Sequence, residues 1–292
     1  MRRSCISVAI ALAAAFILTM AGNVHAGAPL TNAEGVGGVA LNPMAYIANP
    51  IKEGEKGLFG AGIVSKPQLG IWNIRLSESG VNWFTVGGNI SFFNRLELGY
   101  SHEFIDIEDV PKTVDKNNFS FKLNLLKENE FGMKFLPAFS FGGIYKTTDA
   151  DDDFALKDTE DFDFYFVATK MVPGLPVPLI LNAGVLNTKG YVRGVLGFGD
   201  DRAWVFFGNI DTILFEKFIV GWEYEQEAEV GDVFKGESGQ KHTTHSMWEA
   251  HIAYMYNDHL TLVGSWAYTG DSKSSGQAAF DHAYVLSLQY AF

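Results

Sequence analysis

The chain has 292 residues, with 22 basic and 34 acidic side chains, a net charge of -12 and an apolar content of 47%. That balance argues against a nucleic-acid binder. Mean hydropathy is +0.05 and 14% of residues are aromatic, yet no helix-length apolar run lies beyond the N-terminus, so the hydrophobicity is spread over many short segments.

The first element reads as an export signal. "MRR" precedes an apolar run from Ile6 to Met20, and "AGNVHA" supplies a small-x-small site in which Val24 and Ala26 flank His25. The run is shorter than the roughly 20 residues of a spanning helix, so cleavage after Ala26 is expected. The one cysteine, Cys5, would leave with it, and the mature chain would have no thiol, disulfide or cysteine metal site. Loss of Arg2 and Arg3 leaves 20 basic against 34 acidic residues, a net of -14.

Residues 27–66 follow, rich in Gly and Ala, broken by Pro29, Pro43 and Pro50, and without alternation. Val39, Leu41, Met44, Tyr46 and Ile47 make the stretch too apolar for a disordered tail. Two placements stand open: a plug folded into a barrel lumen, or a periplasmic leader against its rim.

From residue 67 the chain alternates apolar and polar residues in short runs. Spread, alternating hydrophobicity with aromatics is the signature of a transmembrane β-barrel, whose strands of about 10 residues show one face to lipid and the other to a polar lumen. The predicted strands are 68–77, 81–92, 95–106, 117–126, 131–146, 161–171, 177–188, 202–213, 216–228, 245–256, 259–270 and 280–292. The expected fold is therefore all-β, a closed antiparallel transmembrane barrel of about 12 strands. Phe119, Phe121, Leu123 and Leu125 alternate with Ser120, Lys122 and Asn124; Phe131, Met133, Phe135, Phe139 and Phe141 share one face. The same holds for Phe162, Phe164 and Phe166, for Phe218, Val220, Trp222 and Tyr224, and for Trp248, Ala250, Ile252 and Tyr254.

Connections around "FN", "KENE", "PGLPVP", "LFE" and "ND" are short and belong on the periplasmic side. Those such as "KTTDADDDFALKDTED" and "EAEVGDVFKGESGQKHTT" are longer and polar, as outer loops are. In the final strand Leu286, Leu288, Tyr290 and Phe292 share one face. This ending resembles the Gram-negative outer-membrane β-barrels, in which a terminal Phe with apolar residues at alternate positions is read by the assembly machinery. The resemblance implies an outer-membrane location. The layout, with "GGVALNPMAYIANP" ahead of the barrel, also resembles an uncharacterised proteobacterial outer-membrane family of about 300 residues. The dipeptide Asn42-Pro43 resembles the N-terminal hatch of long-chain fatty-acid and aromatic-hydrocarbon channels, which implies a hydrophobic cargo.

Taking the face opposite lipid as inward puts Arg75, Arg95, Lys122 and Lys134 on the first five strands. Asp161, Asp163, Asp211, Glu223, Glu225, Glu227 and Glu249 follow from the sixth strand onward, with Glu97 and Glu103 as exceptions. Such segregation sets a field across the lumen. The alternative is a closed core of salt bridges. The outer loop carrying Asp149, Asp151 and Asp153 has oxygens enough for a divalent ion but lacks the spacing of a dedicated calcium loop, and reads as a solvated acidic face. A surface hydrolase would need His102, Asp161 and Asp163, or His282 with Asp281, beside a nucleophile. Both histidines share the lipid-facing parity, and Ser101 beside His102 has the other. His251, inward beside Glu249, reads as a satisfied luminal residue; His242 and His245 read as solvated.

The leading expectation is a passive channel for small solutes or ions that prefers cations; the alternatives are a lipid-modifying surface hydrolase and a structural barrel. Expected partners are outer-membrane lipids, lipopolysaccharide and the barrel assembly machinery. No cofactor and no nucleic acid are expected, and the barrel is expected to be a monomer.

Overall fold

The computed structural model describes residues 30–273 and 277–292; the export signal expected at 1–26 lies outside them. Twelve strands among the described residues form the wall. They are β1 (Gln68–Leu76), β2 (Val81–Phe92), β3 (Leu96–Ile107) and β4 (Val114–Leu126). Then come β5 (Ala138–Thr148), β6 (Glu160–Val172), β7 (Leu179–Gly190) and β8 (Phe198–Leu214). The last are β9 (Phe218–Glu225), β10 (Met247–Met255), β11 (Leu260–Tyr268) and β12 (His282–Ala291). Each pairs antiparallel with the next, and β12 pairs with β1 from Ala283 opposite Leu76 to Ala291 opposite Gln68. Closure leaves no free edge, which a sheet in hydrocarbon requires because lipid satisfies no backbone N–H or C=O.

The pleat sets the two faces. Leu98, Tyr100 and Phe104 on β3, Phe162, Phe164 and Phe166 on β6, and Leu286, Leu288 and Tyr290 on β12 point outward and are exposed. Their neighbours Ser101 and Glu103, Asp163 and Val167, and Ser287 and Gln289 are buried inside.

The strand read at 131–146 is shorter at its start. Asn129 and Phe131, both at φ 60°, and Gly132 at φ 74° shape a turn, the Asn129 N–H donates to the Leu136 carbonyl, and Pro137 brings no donor to a ladder. β5 therefore begins at Ala138, and Phe131 and Phe135, 76% and 77% exposed, sit at the rim formed by the short turns rather than on a strand face.

The outer loops fold over the mouth. Glu229–Gly231 pairs with Lys241–Thr244, which pairs in parallel with Gln277–Ala278. Leu156 bridges to Phe234 and Asp158 to Phe198. Leu156, Val195, Val230 and Val233 then pack with Ile105 and Val114 of the wall.

The barrel is not hollow. Residues 30–48 are buried almost throughout, and their apolar side chains join clusters of the wall. Leu30, Val39 and Met44 pack with Met171, Ile180, Ile213 and Val263. Val36 and Ala45 pack with Ile144, Tyr165 and Phe207, and Ala33 and Ala40 with Trp72. Residues 51–63 are mostly exposed, and the chain rejoins the same short-turn rim where Val64 bridges to Phe92.

Candidate functional site

An irregular segment inside a barrel must find partners for its backbone groups. Here wall side chains supply them. Glu223 Oε1 accepts the Ala40 N–H at 3.2 Å, and Oε2 accepts those of Leu41 and Asn42 at 2.9 and 2.8 Å. Glu97 accepts the N–H groups of Gly37 and Ala48 at 2.8 and 2.7 Å. Lys122 lies 3.2 Å from Glu97 and donates to the Gly37 carbonyl at 3.0 Å. Gln289 both accepts from the Thr31 N–H and donates to its carbonyl, at 2.8 and 2.9 Å. Thr169 accepts the Ala45 N–H, and Asn124 and Ser140 donate to the Ala45 carbonyl. Contact is close where Gly35, at φ 78°, passes Tyr100: a β-carbon there would stand 2.9 Å from the Tyr100 carbonyl.

Nearer the outer mouth, Glu34 ties the segment to a network of ions. It lies 2.5 Å from Lys146, 2.9 Å from Arg193 and 3.6 Å from Lys116. Lys146 also meets Asp163 at 2.7 Å, Lys116 meets Glu103 at 2.9 Å and Arg193 meets Glu225 at 2.5 Å. The basic side chains are thus neutralised by neighbours on the same wall or on the inner segment, and the expected opposition of charge across the lumen gives way to local pairs.

Above this network lies a cavity of about 350 Å³. Its floor holds Glu34, Glu103, Lys146, Asp163, Arg193 and Glu225; its walls are largely apolar, with Leu76, Trp83, Ile105 and Phe280 among them.

Below it, β8, β9 and β10 place a second group of titratable side chains in two adjacent inward rows. Asp211 stands opposite Gly221, and Gly221 opposite His251; Asn209 stands opposite Glu223, and Glu223 opposite Glu249. Gly221 makes the first row possible, because a β-carbon there would lie 2.0 Å from Asp211 Oδ1 and 2.6 Å from His251 Nε2. His251 Nδ1 lies 2.6 Å from Glu249 Oε1, and Nε2 lies 2.8 Å from Asp211 Oδ1. Among the described residues, Glu223, Glu249 and His251 have donor atoms close enough together to hold a metal ion.

Of the residues read as lumen-lining, Lys122, Glu223, Glu225 and Glu249 face the interior. The others are corrected. Arg75 is exposed on the outer face beside Asn82, because Trp72, not its neighbours, points inward on β1. Arg95 precedes β3 at the short-turn rim and pairs with Glu130 at 2.5 Å. Lys134 is exposed in the β4–β5 turn, and Glu227 lies past the end of β9 and is exposed. Leu286, Leu288 and Tyr290 lie on the lipid face, and Phe292 packs on Tyr290 with ring centroids 4.9 Å apart. The weak metal candidates do not converge: Asp149 accepts the Asp115 N–H, Asp151 pairs with Lys235 at 2.7 Å, and Asp153 is exposed. His102 points outward against Phe104 and Asn117, and His282 stacks on Trp266.

Glu34, Lys116, Lys146 and Arg193 were not among the sequence-derived site residues. Lys116 continues the inward row of Asn118, Ser120 and Lys122, and Lys146 that of Ser140 and Ile144, so parity carried to the strand ends finds both. Glu34 and Arg193 lie in aperiodic segments that give no such signal.

The barrel is similar to that of a solved KdgM porin, with a TM-score of 0.51 and 9% identity over 77% of this chain and 99% of that one. It is also similar to a NanC porin, at 0.48 and 7% over 77% and 98%. A third likeness is to the Acinetobacter baumannii outer membrane protein Omp33, at 0.44 and 11% over 79% and 99%. At such identities the likeness is one of fold. No curated protein matches the chain in sequence. A family model described as "Protein of unknown function (DUF3034)" matches residues 27–287, and the chain, a closed twelve-strand β-barrel, belongs to that family.

Proposed function

We propose that the protein is a plugged outer-membrane channel for small solutes, closed at rest by residues 30–48. The observation that carries this reading is the dedication of buried, charged wall residues, Glu97 and Glu223 above all, to the backbone of that segment. A leader resting on the rim has no use for acceptors aimed from the middle of the wall. Passage then requires the segment to shift. With it displaced, Asp211, Glu223 and Glu249 face open water and favour cations. The cavity above the ion network is the entry vestibule, and its apolar walls suit a small solute with more carbon than charge. The outward Arg75 suits a phosphate of lipopolysaccharide, and the Leu286, Leu288, Tyr290, Phe292 row suits recognition by the assembly machinery.

Liposome swelling tests the reading. Vesicles holding full-length protein should swell slowly in sugars and amino acids, and vesicles holding a form without residues 27–66 should swell fast. Equal, fast swelling from both forms would remove the plug.

A further inference from the structure

We propose that Glu223, Glu249 and His251, with Asp211 orienting the imidazole, form a binding site for one divalent transition-metal ion of the zinc type on the inner wall of the barrel. The proposal goes beyond the channel reading, since it concerns what the wall binds whether or not solute passes.

Three carboxylates and one imidazole come together here, with relative exposures of 1% for Asp211, Glu223 and Glu249 and 4% for His251. The cationic partner they share is His251, so with every group ionised the cluster holds two negative charges in excess. Removing uncompensated carboxylates from water is costly, and a divalent cation that displaces the His251 proton would lower the excess from two charges to one. The hydrogen bonds present do not balance it. Those from Ala40, Leu41, Asn42 and Asn209 reach Glu223 and bring no net charge.

Two observations point to an ion rather than to hydrogen bonding alone. Glu249 Oε2 is buried and accepts no hydrogen bond, beside Glu223 in its own row. His251 Nε2 and Asp211 Oδ1 stand 2.8 Å apart without the geometry of a hydrogen bond. Glu249 faces the other ring nitrogen, so Asp211 orients the imidazole and is not a ligand beside Glu249. Glu223, Glu249 and His251 each offer a donor atom within 4.8 Å of the other two. Zinc takes imidazole nitrogen and carboxylate oxygen at about 2.0–2.2 Å, so its ligand atoms stand roughly 3.3 Å apart, and small side-chain rotations close the difference. Imidazole among the ligands favours zinc over magnesium or calcium, which prefer all-oxygen shells.

The test uses refolded full-length protein, stripped with a chelator, dialysed against zinc chloride at neutral pH and desalted, with zinc counted per folded chain. One zinc per chain is expected. His251→Gln and Glu249→Gln should weaken binding about tenfold or more, on the scale of changes around metal sites. Asp151→Asn with Asp153→Asn should leave it unchanged. Zinc K-edge X-ray absorption on the wild type reads the site without any variant: one imidazole nitrogen among oxygens supports it, and an all-oxygen or multi-imidazole shell overturns it. The proposal is also overturned if the folded wild type retains no zinc, if both luminal variants retain it fully, or if the loop variant loses it.

Discussion

Glu223 Oε2 accepts the Asn42 backbone N–H at 2.8 Å, so a carboxylate from the ninth strand holds the N-terminal segment inside the barrel that follows it in sequence. The neighbouring N–H groups of Ala40 and Leu41 end on the same side chain. Hydrogen bonds to a charged acceptor are worth about 1.5–3 kcal/mol each. Glu223→Ala should therefore loosen the segment by several kcal/mol without unfolding the wall. Hydrogen exchange should rise at residues 37–45 while the strands stay protected. Equal loss of protection in segment and strands would contradict this.

Glu97 has two tasks, the N–H groups of Gly37 and Ala48 and the charge of Lys122. Removing the carboxylate alone leaves a buried ammonium, at a cost of about 3–5 kcal/mol. Glu97→Gln should lower stability by that order in denaturant unfolding. Adding Lys122→Met should recover part of it, because the orphaned charge is gone. A double variant no better than the single one would show that the ion pair is not the source of the loss.

Gly221→Ala should disturb the lumen more than its single methyl suggests. The added carbon would overlap Asp211 Oδ1 and His251 Nε2, and overpacking of this kind costs about 1–3 kcal/mol. Gly264→Ala, whose nearest neighbour would stand at 3.9 Å, is the control and should be close to neutral. Thermal unfolding of the two side by side decides.

Leu286→Arg should cost about 2–4 kcal/mol if the residue faces lipid near mid-membrane, as its 69% exposure on an outward row implies. Unfolding in lipid vesicles measures it. In detergent micelles, where the headgroups adapt, the cost should shrink. No penalty in vesicles would mean that β12 does not face lipid.

The loop between β9 and β10 should respond to acid. Burial raises the Glu237 carboxyl, but the N–H groups of Phe234 and Val233 and the His242 ring outweigh it and hold it below its ordinary value. A carboxyl lowered in the folded state stabilises the loop above the unfolded value of about 4.3, and that contribution is lost as pH falls through the folded value. Proteolysis of the loop should be constant from pH 7 to pH 5 and quicken below pH 4. Glu237→Gln should flatten the response. Acceleration already between pH 7 and pH 5 would point to another group.

The barrel was legible because lipid on one side and a polar interior on the other impose a two-residue period, as Phe119 to Leu125 on β4 show. Parity failed where the period was weak or false. On β1 the inward row is Gln68, Gly70, Trp72 and Leu76, so Arg75 came out on the wrong side. In the β4–β5 turn, Phe131, Met133 and Phe135 alternate by chance at a rim where exposed aromatics are tolerated, and carried Lys134 into the wall with them. Glu34 was out of reach for a different reason. Its partners Lys146 and Arg193 are 112 and 159 residues away, and nothing local in an aperiodic segment announces such contacts.

The central claim is that residues 30–48 close the lumen, and single-channel conductance in a planar bilayer tests it most directly. Full-length protein should be silent or flicker at small conductance, and the form lacking residues 27–66 should open in stable steps, with a reversal potential in a salt gradient that reports cation preference. Equal stable steps from both forms, or silence from both when folded, would contradict it.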